Sequence, residues 1–197
     1  MLSLQRPDSA DLRAFLQAQN QKAFSYPEVG ASRDKLPSGY FHDHRRTRLG
    51  SGLEVFQRAC AALNCWRQFR LGWVQLHAYD TPLAVGETVA IVAGRMRLWS
   101  VNACRIVYTL DEDGPVRRFG FAYGTLPDHM ERGEERFSVE WHRDDDSVWY
   151  DLRAFSWPNH FVAQCCLPYI RRLQRRFAID SAQAMALAVA EPANAAA

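Results

Sequence analysis

The chain lacks most of the signals that mark a known chemistry. Its five cysteines, Cys60, Cys65, Cys104, Cys165 and Cys166, include no C-x-x-C pair. That excludes the usual zinc and dithiol spacings. An odd number of thiols without such pairs reads as reduced, mostly buried cysteine in a cytoplasmic protein. There is no G-x-S-x-G for a nucleophile elbow, and neither G-x-G-x-x-G nor a Walker loop for phosphates. No cofactor is therefore expected. The 24 basic and 22 acidic residues nearly cancel, with a net charge of +2. Such a balance gives no electrostatic case for nucleic acid, which needs a clustered basic face. The opening MLSLQRPDSADLRAF has no basic segment followed by an apolar run, so no secretory signal is expected. No run approaches the roughly 20 apolar residues of a membrane span. Neither a repeat nor a linker is visible. The expectation is a single domain over residues 1–190 with a frayed tail, EPANAAA, at 191–197.

What is present is apolar and aromatic. Of 197 residues, 48% are apolar and 12% aromatic. A chain of this size can bury roughly 70% of its unfolded surface. Asp8 to Gln19 reads as a short helix with an Asp8 or Ser9 cap and a Leu12, Phe15, Leu16 stripe. Ser51 to Trp66 reads as a second, with Leu53, Phe56, Cys60 and Leu63 on one face. Alternating segments follow at Gln68–Tyr79, Glu87–Ala93, Met96–Ser100, Ala103–Leu110, Phe119–Tyr123, Phe137–Trp141 and Val148–Phe155. A long helix is expected from a Ser156 cap to about Phe177, interrupted at Pro168. Its Ile170, Leu173 and Phe177 share an apolar face, opposite Arg171, Arg172, Arg175 and Arg176, which read as a solvated face rather than a phosphate site. Asp180 or Ser181 would cap a last helix to Val189. Short connections between successive strands give an antiparallel sheet. The fold class is therefore α+β: about seven curved antiparallel strands wrapped on a long C-terminal helix, with room for a ring-lined cavity.

The organising stretch is Phe119–Trp141, FGFAYGTLPDHMERGEERFSVEW. Phe119, Phe121 and Tyr123 alternate with small residues, Gly124 ends the strand, and Leu126-Pro127-Asp128 starts a turn. His129, Glu131, Glu134 and Glu135 follow on that turn. One imidazole and three carboxylates can exchange protons, contact a polar ligand, hold a metal, or serve only to tie down the turn. For proton transfer, a His beside carboxylates would be poised near neutrality. Adjacent Glu134 and Glu135 can point to opposite sides, so at most two carboxylates converge. The site candidates are His129, Glu131 and Glu134 for catalysis, and Tyr26, Glu28, Tyr108, Tyr123, Glu135 and Trp149 for ligand contacts, with no metal assigned. The His42-Asp43-His44 segment could put two imidazoles on one strand face, but two arginines adjoin it and no third ligand is near. A hydrogen-bonded surface is the expectation there.

Three segments carry a resemblance. FSYPEVGAS (24–32), GFAYGTLPDHMERGEERFSVE (120–140) and VWYDLRAFSWP (148–158) are similar to the signatures of the domain-of-unknown-function family nineteen-ninety. The likeness runs from about Phe24 to Phe177. Ser32 stands where the family's motif would have threonine, and Trp157 where a more varied or basic residue is expected. The resemblance implies a START-like, helix-grip fold but no established activity, since fold does not name function. Three functions remain open: a binder of a hydrophobic or aromatic small molecule, a cofactor-free cyclase, dehydratase or hydrolase using His129 and a glutamate, and an interaction protein with a packed core.

Overall fold

The computed structural model describes residues 2–77, 80–95 and 98–191. Tyr79, Met96 and the tail from Pro192 onward lie outside the described residues, so the strand and tail expectations at those positions are not addressed. The strands are β1 (Leu2–Ser3), β2 (Phe41–Ser51), β3 (Val74–His77), β4 (Thr88–Arg95), β5 (Leu98–Glu112), β6 (Val116–Thr125), β7 (Glu131–His142) and β8 (Ser147–Pro158). Seven of them form one antiparallel sheet in the order β2-β8-β7-β6-β5-β4-β3, and β1 pairs with the start of β5. The helices are α1 (Ser9–Gln19), α2 (Leu53–Asn64), α3 (Phe161–Cys165) and α4 (Leu167–Ala190). The chain begins the sheet at one edge, crosses the inner face through α2, and returns as a meander from the opposite edge. Long-range pairing of β2 with β8 is why the strand content of Phe41–Ser51 is hidden from local pattern: its neighbour lies about a hundred residues away.

Each helix has a local cause and a tertiary partner. Asp8 accepts from the backbone N–H groups of Ala10 and Asp11, and Asp11 returns a bond to the Asp8 N–H, closing a capping box. Leu12, with Phe15 and Leu16, then packs on Ala90, Val92 and Val101 of the outer sheet face. In α2 the buried positions are Phe56, Ala59, Ala62 and Leu63, while Leu53 is exposed. These join Trp66, Phe69, Phe121, Phe137, Tyr150, Leu152 and Met185 in the main core on the inner face.

Several expectations change. Gln68–Tyr79 is not one strand: Arg67–Phe69 is a 3-10 turn that buries Phe69 in the core, and pairing starts only at Val74. Leu98–Ser100, the described part of the expected Met96–Ser100 segment, and Ala103–Leu110 belong to the single strand β5. Ser156 and Pro158 finish β8 rather than begin a helix, and the break falls at Cys166, with Pro168 in the first turn of α4. No second cap exists at Asp180 or Ser181, because α4 runs through them. Their side chains are used across the fold instead: Trp73 Nε1 donates to Asp180 at 2.8 Å, and the Tyr150 and Ser181 hydroxyls meet at 2.8 Å.

Helix α4 divides into two halves. Its C-terminal half is packed, with Ser181, Ala182, Met185 and Val189 buried against α2 and the sheet. The half from Leu167 to Ala178 stands off the inner face and roofs a space.

Candidate functional site

That space has a volume of about 910 Å³. Phe69, Trp73, Val74, Ile91, Leu152 and Ala154 make its apolar floor, and Ile170, Leu173 and Phe177 of α4 its roof. The apolar stripe read in the sequence therefore faces the cavity, not a packed sheet. Exposed Cys166 and Tyr169 lie at the rim. Polar groups gather along β6, β7 and β8: Tyr123, Thr125, His129, Glu131, Glu135 and Ser156, with Asn102 from β5 and Gln174 from α4.

Strand β7 begins at Glu131, so the three glutamates lie on a strand and not on a turn. Alternation then decides their faces. Glu131 and Glu135 share the inner side with Phe137, and Glu134 takes the outer side. Gly133 between them has φ +146°, and a Cβ there would come within 2.0 Å of the Phe155 carbonyl oxygen. Only glycine fits this approach of β7 to β8.

The outer face holds a closed polar cluster. Glu134 Oε2 accepts from the Tyr26 hydroxyl at 2.6 Å and the Gly30 N–H at 2.7 Å, and Oε1 accepts from the Ser32 N–H at 2.9 Å and from the Ser32 hydroxyl. Ser32 Oγ also meets the Tyr108 hydroxyl at 2.7 Å. The segment Phe24–Arg33 is thereby fastened to the back of the sheet. Gly124 does not end β6 but permits this contact: a Cβ there would lie 2.1 Å from the Tyr26 hydroxyl oxygen. Burial, reinforced by Glu134, raises the Tyr26 pKa far above its usual value.

Inside, the glutamates have few donors. Glu135 Oε2 accepts from the Tyr123 hydroxyl at 2.7 Å. Burial raises its pKa to about 8, with further upward pressure from Asp43 and Glu131. Glu131 accepts from the Gln174 amide, and burial raises it to about 7 against the pull of Gln174, Ser156 and Arg171. His129 Nδ1 accepts the Glu131 N–H at 2.9 Å, which fixes the proton of the neutral ring on Nε2. Burial holds the imidazole down at about 3. The expectation of a histidine poised near neutrality is thus reversed: desolvation dominates at His129, and Glu131 and Glu135 are the groups near neutral pH.

Of the nine sequence candidates, His129, Glu131, Tyr123 and Glu135 come together at the cavity. Glu134 touches its wall, but both oxygens are spent on the Phe24–Arg33 segment. Tyr26 and Tyr108 belong to that outer cluster, with the Arg33 guanidinium 4.7 Å from the Tyr108 ring centre. Glu28 accepts from the Tyr40 hydroxyl at 2.6 Å. Trp149 faces outward under Arg46, whose guanidinium is 4.5 Å from its ring centre, because its neighbour Tyr150 takes the inner side. These four are corrected from ligand contacts to parts of the outer face. Asn102, Ser156 and Gln174 were missed. Gln174 had a signal, being a polar residue within the apolar stripe of α4. Asn102 and Ser156 had none.

The histidines of β2 are each engaged: His42 Nε2 with the Pro37 carbonyl at 2.7 Å and His44 Nε2 with Asp151 at 2.6 Å. Among the described residues no group of three or more His, Cys, Asp or Glu is placed to hold a metal ion. Arg171 leaves the expected solvated face to grip Asp43 through two bonds of 2.6 and 2.8 Å.

A curved antiparallel sheet closed over a long C-terminal helix, with a cavity between them, defines a START-like helix-grip protein. The chain belongs to the family described as domain of unknown function DUF1990, whose sequence model matches residues 25–184. A UPF0548 protein of Dictyostelium discoideum is 35% identical, with 98% of this chain and 98% of that protein covered. A UPF0548 protein of Deinococcus radiodurans is 36% identical over 89% of this chain and 92% of its own. Among solved structures, that of Ara h 8.0201 aligns at a TM-score of 0.48 and 8% identity, covering 77% of this chain and 99% of the other. Human STARD10 aligns at 0.41 and 9%, covering 91% and 81%. Among the described residues no helix is long and apolar enough to cross a membrane.

Proposed function

We propose that this chain binds a hydrophobic or aromatic small molecule between α4 and the inner face of the sheet. The observation that carries the reading is the cavity of about 910 Å³, apolar on its floor and roof and polar along one wall. Burial of rings and aliphatic carbon supplies affinity there, and the polar wall orients one end of the guest. The same space weighs against an interaction protein with a packed core. The working unit is a single domain over residues 1–190. The five cysteines are free thiols, which suits a reducing cytoplasmic location, but they are not mostly buried as expected: Cys65, Cys165 and Cys166 are exposed and only Cys104 is fully enclosed. The test is native mass spectrometry of the purified protein, followed by titration with the molecule released. Ala154→Phe, which fills the cavity wall, is expected to abolish retention while the fold melts normally. Unchanged retention in that variant would place the guest elsewhere.

A second reading, a cofactor-free enzyme, is favoured by one specific observation. Glu131 and Glu135 both line the cavity, with pKa values raised to about 7 and about 8. Two carboxyls able to exchange protons near neutral pH on one wall suit a cyclisation, dehydration or hydrolysis. In that reading they carry protons, and His129 donates a hydrogen bond from Nε2. A bell-shaped rate profile that loses its alkaline limb in Glu135→Gln supports it. A pH-independent rate rules it out.

A further inference from the structure

The charge inventory of the cavity restricts its guest. Among the described residues the wall carries one permanent cation, Arg176, which bonds Asp180 and lies 4.7 Å from the Trp73 ring centre. Asp43 reaches the wall already neutralised by the two bonds from Arg171. Glu134 is saturated from behind by the Tyr26, Gly30 and Ser32 donors. His129 contributes a neutral ring. Glu131 and Glu135 remain, and every donor they meet is neutral: the Gln174 amide and Ser156 for one, the Tyr123 hydroxyl for the other.

The geometry points to a guest with an aromatic or aliphatic body and a protonated amine, seated with the amine against the wall that carries Glu131 and Glu135. This rests on the cavity-binding reading and names its substrate class. Neither carboxyl has an ion pair of its own, since Arg171 acts on Glu131 only across space while bonded to Asp43, and in an apolar enclosure they supply the opposite charge that a desolvated ammonium needs. Tyr123, Phe69 and Phe177 line the same cavity, and an aromatic lining suits a cation as well as an apolar body. An anionic guest finds the reverse. Its charge would meet two acids, and the nearest guanidiniums, Arg171 and Arg176, are already spent on Asp43 and Asp180. The raised pKa values of both glutamates describe the same frustration, which a bound cation relieves by drawing their protons off.

The experiment is a titration of the full chain with three probes on one body: naphthylmethylamine, naphthylmethanol and naphthoate. The amine is expected to bind about tenfold or more tighter than the alcohol, and the carboxylate weakest. Combining Glu131→Gln with Glu135→Gln should bring the amine-to-alcohol ratio close to one, and a melting curve checks that the variant folds. Equal binding of all three probes, tighter binding of the carboxylate, or an amine preference that survives the double substitution overturns the charge assignment while leaving the cavity reading intact. If none of the three binds, the cavity reading itself falls and this inference with it.

Discussion

Glu134 and Glu135 are chain neighbours of one residue type on one strand, yet they live in opposite worlds. Glu134, 2% exposed, meets four donors from three residues and fastens a loop to the outer face. Glu135 meets one hydroxyl and faces an apolar cavity, where burial raises its pKa to about 8. A carboxylate whose lone pairs are filled is structure. One left short of donors stores unfavourable desolvation that a guest can relieve. The difference is a single step of strand pleat, and it separates the part of the motif that builds the protein from the part available to act.

The largest expected effect breaks the outer side. Glu134→Ala would orphan the Tyr26 hydroxyl, the Gly30 and Ser32 N–H groups and the Ser32 hydroxyl, costing about 3–5 kcal/mol in urea unfolding. A loss under about 1 kcal/mol would deny it the fastening role. Next comes the split within α4. Met185→Ala in the packed half should cost about 2–4 kcal/mol, and Leu173→Ala in the roof clearly less, since its side chain faces open space. Equal losses would mean that the cavity collapses in solution.

The pH dependence sharpens the inner side. Glu131 and Glu135 have folded pKa values raised to about 7 and about 8. The folded protein holds these protons more tightly than the unfolded chain. The stability they contribute is therefore complete below the unfolded carboxyl pKa and fades as pH climbs through about 8. The melting temperature of Glu135→Gln should accordingly gain on the parent between pH 5 and about 8.5. A constant gap would contradict the burial of Glu135. His129 works in the other direction. Its pKa is lowered to about 3, so its contribution is present above the unfolded value near 6.5 and is lost as pH falls from there toward 3. His129→Gln should flatten that acid limb. The smallest effect is expected at Trp149→Ala, about 1 kcal/mol with guest affinity unchanged, because the ring lies on the outer face, where it stacks with Arg46 and donates to the Ser147 hydroxyl at 2.8 Å.

Much of this is legible in the sequence. The Phe121–Tyr123 alternation, the resumption at Phe137, and the apolar stripe Ile170–Leu173–Phe177 all locate strands and a helix by period alone. The sequence also held the idea that adjacent glutamates diverge. It failed where partners are distant. Reading Glu134 as a catalytic candidate and Tyr26, Glu28, Tyr108 and Trp149 as ligand contacts treated polar handles as if all faced inward. Nothing local marks Tyr26 as the donor to a carboxylate 108 residues on. The Asp180–Ser181 pair looked like a helix cap because Asp and Ser cap helices well. Within a continuous α4 they serve Trp73 and Tyr150 instead.

By itself, the sequence determined the period of most elements, β2 and the Gln68–Tyr79 segment excepted, and so which residues share a face. That information is local, written in backbone geometry over a few residues. Only the tertiary structure decided which face became the interior, which carboxylates found donors there, and which were left without. Those outcomes depend on desolvation and on contacts between segments a hundred residues apart, and no local pattern encodes them.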